Sequence, residues 1–137
     1  MPGYSSPIEY FCIKNVGGAQ VTLSALADEL TDVDVACTGD EAASGDTTCG
    51  GGQVGELSSV VGVGMGAQAC ANAGAHSGSA TTLESWATNP TALGTLAGGA
   101  TGCYSVRASY ASNPDNVDVQ KAQSDRATWR FKFTAQA

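Results

Sequence analysis

The segment from Cys37 to Gly52, CTGDEAASGDTTCGGG, combines two cysteines, three carboxylates and a run of glycines. A zinc site would need two more thiolates or histidines at short spacing, and a redox pair would need the CxxC spacing. Neither pattern occurs around these two cysteines. The segment therefore predicts a disulfide between Cys37 and Cys49 that closes a polar surface loop. Such a bridge stabilises a fold by on the order of 3 kcal/mol.

Three further cysteines lie outside that loop. Cys12 and Cys103 each stand beside an aromatic residue on a predicted strand, in YFC and GCY. A bridge between them is the second predicted disulfide, and it would leave Cys70 free. Pairings of Cys70 with Cys12 or with Cys103 stay open. Five cysteines in so short a chain favour a secreted, extracellular protein, because disulfides persist in oxidising compartments.

Acidic residues are dense between positions 28 and 46. Clustered oxygens are the ligands that calcium prefers, but the EF-hand spacing is absent and a run of charges is usually a solvated face. The sequence therefore favours plain surface charge, with calcium as the alternative partner. The carboxylates concerned are Asp28, Glu29, Asp32, Asp34, Asp40, Glu41 and Asp46.

The rest of the sequence offers little for catalysis. His76 is the only histidine, so the two-histidine helix of a zinc peptidase cannot be built. Around Ser77 the sequence AHSGS has Ala75 and Ser79 where a nucleophile elbow has glycines. We therefore expect no enzyme activity, no catalytic residue and no cofactor.

Composition restricts the partners. The 137 residues fit one domain, 1–137, with a formal net charge of −7 and no long basic run. This charge disfavours nucleic acid and anionic membranes, which both need a positive surface. The most apolar stretch, 60–75, is broken by glycines and polar residues, which predicts no membrane insertion. The N-terminus lacks the regions of a signal peptide, so we expect a leader upstream of Met1.

Alternation with period two predicts an all-β chain. Strands are expected within 8–13, 19–26, 31–37, 55–66, 102–110 and 125–137, and the first two should form a hairpin. One short helix is predicted within 79–89, with Thr81 or Thr82 as its N-cap and its end before Pro90. Strands separated by Gly, Ser and Asn turns indicate an antiparallel β-sandwich.

The final strand has the clearest pattern. Trp129, Phe131 and Phe133 share one face, while Arg130 and Lys132 lie on the other. Because apolar side chains bury and charged ones stay hydrated, we expect the three aromatic residues in the core and the two cations in water.

Several segments, taken in order, resemble the TasA/camelysin family of exported biofilm-matrix fibre proteins, which a dedicated signal peptidase processes. The similarity runs from about Pro2 to Ala137 and is strongest in the last strand, where Gln120, Gln123, Asp125, Phe131, Phe133 and Ala135 match the family's ending. The segments are EYFCIKNVGG, VTLSAL, the acidic CTGDEAASGDTTCGGG loop, GELSSVV and VQKAQSDRATWRFKFTAQA.

The resemblance implies a jelly-roll-like sandwich of two antiparallel sheets with a few short helices. It also implies a non-catalytic subunit that binds copies of itself in an extracellular fibre, where the N-terminal strand of one subunit completes the sheet of the next. Pro2-Gly3 stands where the family has a turn before the aromatic strand, so the first strand is expected upstream of Met1.

Two other functions compete with the fibre subunit. One is a secreted monomeric module that binds carbohydrate or a surface through Trp86, Trp129 and the tyrosines. The other is a camelysin-like protease, which the missing zinc motif disfavours.

Overall fold

The computed structural model describes residues 3–71, 75–110 and 116–137, and the predicted all-β class is confirmed there. Within these ranges the chain forms seven strands and four short helices, and the strands make two antiparallel sheets. The elements are β1 (Glu9–Lys14), β2 (Val21–Asp34), α1 (Gly39–Ala43), α2 (Leu57–Val60), β3 (Val61–Gln68), β4 (Ala80–Thr82), α3 (Leu83–Thr88), β5 (Thr91–Leu96), β6 (Thr101–Tyr110), α4 (Val117–Lys121) and β7 (Asp125–Gln136).

The two sheets pack face to face. One has the strand order β1-β6-β3-β4, and the other has the order β5-β2-β7. The pairing of β2 with β7 is the longest, with Thr22 opposite Gln136 at one end and Asp34 opposite Asp125 at the other. This register brings two carboxylates side by side at one end of the sandwich.

The predicted hairpin between residues 8–13 and 19–26 is wrong. β1 pairs with β6, whereas β2 pairs with β5 and β7, so the turn between them carries the chain from one sheet to the other. The side-chain amide of Asn15 secures this crossing by donating to the carbonyls of Ala19 and Leu96, at 2.7 and 3.1 Å. The apolar faces of β1 and β2 then meet across the core, which two strands of one hairpin cannot do.

The predicted strands 19–26 and 31–37 belong mainly to a single long strand, β2. A bulge interrupts it, because Asp28 lies opposite Arg130 while Thr31 lies opposite Thr128, which leaves one extra residue on β2. Glu29 sits in the bulge with φ of 51°, and its carboxylate forms an exposed ion pair with Arg130 at 3.2 Å.

The core lies between the sheets and is closed at one side by α3. This helix confirms the prediction: Thr82 is its N-cap, with its hydroxyl accepting from the Ser85 N–H, and the helix ends before Pro90. The buried indole of Trp86 donates to the carbonyl of Val63 at 2.8 Å. The buried core residues are Leu23, Ala25, Ala27, Val63, Met65, Leu83, Trp86, Leu93, Leu96 and Tyr104.

The glycines of β3 allow a second segment to cross its outer face. A Cβ on Gly64 would lie 2.7 Å from the carbonyl oxygen of Gly78, and one on Gly66 would lie 2.9 Å from the Gly78 nitrogen. Only glycine permits so close an approach of two backbones. The segment around Gly78 is thereby held against the sheet.

Candidate functional site

β7 has a free edge along one side of the sandwich. In the described part of the chain it pairs only with β2, and β1 is one of the two edge strands of the facing sheet. The rings of Phe11 on β1 and Phe133 on β7 lie 5.1 Å apart, so the two edges border the same side. A free edge exposes a row of unpaired backbone N–H and C=O groups, which is a template for another strand.

The inward face of β7 is apolar but incompletely covered. Trp129 and Phe131 are half-buried against the core, while Arg130 and Lys132 are exposed as predicted. Phe133 is 39 % exposed. The prediction that all three aromatic residues lie in the core is therefore wrong for Phe133. Its ring faces the open side between β1 and β7, where it contacts Phe11 but is not enclosed.

Two cavities continue from this open side between β7 and the facing sheet. Their volumes are about 350 Å³ and about 190 Å³, and most of their lining side chains are apolar. We call them together the β7 cleft. Apolar surface left in water is unfavourable by about 25 cal/mol per Å², so the cleft favours an apolar occupant. Its apolar lining comprises Tyr4, Leu57, Val61, Val63, Val106, Ala108, Tyr110, Ala127, Trp129 and Phe131.

One of the two predicted disulfides is present and the other is wrong. Cys37 is bonded to Cys49, as predicted. Cys103 is bonded to Cys70 and not to Cys12, which is an exposed free thiol. Cys12 does lie opposite Cys103 in the strand register, with the two Sγ atoms 2.6 Å apart. The bridge that forms is one of the two alternatives left open for Cys70, which lies just after β3 and reaches the same sulfur, so that three sulfurs lie within 4.8 Å of one another.

His76 and Ser77 have structural partners. His76 Nδ1 lies 3.0 Å from the hydroxyl of the fully buried Ser105. The Ser77 hydroxyl donates to the carbonyl of Ala67 at 2.8 Å. These contacts hold the segment that crosses the outer face of β3.

Six carboxylates meet at the end of the sandwich where β2 ends and β7 begins, and we call them the acidic cluster. Asp34 is 1 % exposed, Glu41 is 0 % exposed and Asp46 is 8 % exposed. The interpretation of these residues as solvated surface charge is therefore wrong, although Asp28, Glu29 and Asp40 are exposed as expected. The members of the acidic cluster are Asp32, Asp34, Glu41, Asp46, Glu56 and Asp125.

Hydrogen bonds from several donors, most of them backbone N–H groups, hold the two most buried carboxylates. Asp34 Oδ2 accepts from the Gly50 N–H at 2.5 Å, and its Oδ1 lies 3.2 Å from the Ser124 hydroxyl. Glu41 belongs to the capping box of α1, where it accepts from the Thr38 N–H at 2.5 Å, and it also accepts from the Ser124 N–H at 2.6 Å. The loop closed by Cys37 and Cys49, which we call the disulfide loop, is folded onto the sandwich by these contacts.

The remaining carboxylates of the acidic cluster have hydrogen-bond donors for only some of their oxygens. Asp125 Oδ2 accepts from the N–H groups of Glu56 and Leu57, at 2.5 and 3.1 Å. Asp32 Oδ2 accepts from the Ser58 N–H at 2.6 Å. Four buried carboxylate oxygens in the described part of the chain have no hydrogen-bond partner: Asp32 Oδ1, Asp46 Oδ2, Glu56 Oε2 and Asp125 Oδ1.

Burial and neighbouring charges raise the pKa values of two members of the acidic cluster, Asp125 and Glu56. Burial, together with the charges of Asp32, Glu56 and Asp34, raises the pKa of Asp125 to about 6, although the hydrogen bond from the Glu56 N–H opposes the rise. Burial also raises the pKa of Glu56, with Asp46 and Asp32 adding to the effect and Lys121 opposing it.

Burial alone would raise the pKa of Glu41 as well, but hydrogen bonds from Thr38 and Ser124 outweigh it and lower that pKa. Glu41 is thus held in its ionised form, whereas Asp125 and Glu56 resist ionisation.

The sequence reasoning missed Glu56 and Asp125 as members of the acidic cluster. Both lie outside the dense acidic stretch, and Asp125 joins it only because β7 pairs with β2. Gly55 reflects the same crowding: a Cβ there would lie 2.7 Å from Asp32 Oδ1 and 2.8 Å from the Asp125 carboxylate. The only local signal in the sequence is a glycine directly before Glu56, and that pattern is too common to predict that these carboxylates lie close together.

The comparisons with known proteins add no relative. No protein family, no curated protein and no solved structure matches this chain. Among the described helices, none has the length and apolar character needed to cross a membrane. The similarity to the TasA/camelysin family therefore rests on the order of the sequence segments alone.

Proposed function

We propose that this protein is a non-catalytic structural subunit of an extracellular fibre or biofilm matrix. In this proposal a β-strand from one copy pairs with the free edge of β7 in the next copy. The observation that carries the proposal is the β7 cleft, where a 12-residue edge strand keeps its inward aromatic face partly open to solvent.

An added strand would pair the free backbone groups of β7 and would also cover the apolar side chains of the β7 cleft. The backbone of the incoming strand would bond to the unpaired groups of β7, and its alternate side chains would fill the apolar cleft. Arg130 and Lys132 would stay in water, because they lie on the outer face of β7. Left uncovered, a long edge strand with an apolar inner face is prone to disordered aggregation, so an ordered occupant is favoured.

Two further features support an extracellular fibre. The two disulfides are compatible with an oxidising, extracytoplasmic environment. The order of the segments that resembles the TasA/camelysin family implies assembly by the same kind of strand donation.

The second candidate is a secreted monomeric module that binds carbohydrate or a surface. Trp86 and Tyr104 are buried in the core and so cannot form an aromatic binding platform. Tyr4 and Trp129 do border the β7 cleft, but the cleft lining is mainly apolar. A sugar site needs polar groups that fix the hydroxyls, so this lining suits a strand better.

The proposal is tested by a matched pair of lysine substitutions on β7. Phe133→Lys places an ammonium group at the mouth of the β7 cleft, where an incoming strand would bury it at high cost. Thr134→Lys places the same charge one residue further along, on the exposed outer face beside Lys132. Phe133 is already partly exposed, so both variants should fold, which circular dichroism would check.

The measurement is negative-stain electron microscopy and sedimentation of the protein as its own cells produce it. The native protein and Thr134→Lys should form filaments of one width, whereas Phe133→Lys should stay monomeric. Filaments from Phe133→Lys that match the native ones would place assembly elsewhere. A native protein that stays monomeric at every concentration would overturn the fibre proposal and favour the binding module.

A further inference from the structure

The acidic cluster gathers carboxylates from separate regions of the chain. Asp34 ends β2, Glu41 lies in α1 within the disulfide loop, and Asp125 begins β7. One carboxylate oxygen from each of these three residues lies within 4.8 Å of the other two. Oxygens that share one calcium ion at about 2.3 to 2.6 Å can be as far apart as about 5 Å, so this spacing fits a single cation.

A second observation points to a missing positive partner. Asp46 is more than nine-tenths buried, and its Oδ2 has no hydrogen-bond donor. Thr48 Oγ1 lies 2.9 Å from Asp46 Oδ1 and 3.0 Å from Glu56 Oε1, so the two carboxylates face each other across one hydroxyl. The Thr48 N–H also donates to Asp46 Oδ1, at 2.7 Å, so Asp46 Oδ2 is the oxygen of this side chain that stays without a donor.

Two more carboxylates of the acidic cluster meet beside Gly55. Asp32 Oδ1 lies 2.7 Å, and Asp125 Oδ2 lies 2.8 Å, from the point that a Cβ of Gly55 would occupy. Asp32 Oδ1 and Asp125 Oδ1 are buried without a donor. Buried anionic oxygens are costly when neither a hydrogen bond nor a counter-charge compensates them.

Among the charges of the described residues that act on Glu56, the negative ones outnumber the positive one. The positive charge that acts on Glu56 comes from Lys121, while Asp46 and Asp32 act on it with the opposite sign. We propose that the acidic cluster binds a calcium ion, held mainly by Asp34, Glu41 and Asp125, which fixes the disulfide loop to the ends of β2 and β7.

The donor set selects the kind of cation. All six members offer carboxylate oxygens, which suit hard cations, and the two cysteines of the disulfide loop are bonded to each other and so offer no thiolate. Calcium accepts six to eight oxygens in a flexible arrangement, whereas magnesium needs a near-ideal octahedron. A site assembled from a strand end, a helix, a loop and a strand start suits the more flexible ion.

The test uses chelator-treated full-length protein, isothermal titration with calcium chloride, and the melting temperature measured in parallel. Asp125→Asn and Asp46→Asn remove one charge each with little change of shape. Asp28→Asn is the matched control, because Asp28 lies on the same strand as Asp34 but is exposed and outside the acidic cluster. Each titration is repeated with magnesium and with zinc, and circular dichroism checks that each variant is folded.

We expect the native protein and Asp28→Asn to bind one calcium ion with a rise in melting temperature. Both cluster variants should bind at least tenfold more weakly and, without calcium, should melt at or above the native temperature, because repulsion within the cluster is reduced. No binding up to about 10 mM calcium, beyond the range of weak extracellular modules, would overturn the proposal. So would unchanged affinity in Asp125→Asn, or tighter binding of magnesium or zinc. The outcome is kept independent of fibre assembly by repeating the calcium titration on Phe133→Lys, which should stay monomeric and keeps the acidic cluster.

Discussion

Phe131→Ala tests how far the β7 cleft is already closed in the monomer. Phe131 lies opposite Ala27 in the β2–β7 pairing, and its ring packs edge-on against Trp86 at 5.5 Å. Truncating a fully buried phenylalanine costs about 3 to 5 kcal/mol, some of which comes from the empty cavity it leaves. Phe131 is half-buried and already borders a cavity of about 350 Å³, so water can fill the vacated space.

The expected loss is therefore about 2 kcal/mol in the free energy of unfolding. For a chain of this length it corresponds to a fall in melting temperature of roughly 6 to 8 °C. The assay is urea unfolding with the disulfides intact, with Thr134→Ala on the exposed face of β7 as the control, where the change should stay within about 0.5 kcal/mol.

Two results would refute this reasoning. A loss below about 0.5 kcal/mol in Phe131→Ala would show that the inward face of β7 is not packed on the core. A loss above about 4 kcal/mol would show that the ring is fully enclosed, so that the cleft offers no place for an incoming strand.

The cysteines, the acidic cluster and the core each lead to a further prediction. In Cys70→Ser, a non-reduced digest should recover a Cys12–Cys103 bridge, because those sulfurs are already 2.6 Å apart; a free Cys103 would contradict this. In chelator-treated protein the melting temperature should fall as the pH rises from about 4 to about 6. The pKa of Asp125 is raised in the folded state, so over this pH range the folded protein keeps a proton that the unfolded chain has lost. A melting temperature that does not change with pH would contradict this. Trp86→Phe removes the indole N–H that donates to a carbonyl of β3 at 2.8 Å, so denaturant unfolding should show a loss of about 2 to 3 kcal/mol in the free energy of unfolding. A loss under about 0.5 kcal/mol would mean that the carbonyl finds another donor.

Features that depend on neighbouring residues could be predicted from the amino-acid sequence. The alternation in 125–137 identified β7 and the side of it that carries its aromatic residues, because successive side chains of a strand point to opposite faces. Thr82 and Pro90 bounded α3, since capping and helix termination are local. The Cys37–Cys49 bridge was predictable because its two ends are separated by only 12 positions.

Which distant segments meet was not predictable in this way. The turn after Asn15 has the same local pattern whether the chain returns in one sheet or crosses to the other, so the partner of β1 was not readable. Strand pairing places Cys12 beside Cys103, and the segment after β3 places Cys70 beside it as well. The local sequence around each cysteine cannot decide which of the two bonds to Cys103.

The acidic cluster illustrates why burial depends on the folded chain. Alternation from Leu23 to Ala27 would place Asp34 on the outer face of β2, and the bulge between Asp28 and Thr31 turns it to the inner face. There the Gly50 N–H and the Ser124 hydroxyl, from two other segments, bond to it. Likewise Phe133 has the pattern of a core residue, yet it stays partly exposed because no strand of this chain covers that side in the described residues. Local sequence sets the alternation of side chains along a regular strand, whereas bulges and burial depend on what pairs with and packs against that strand.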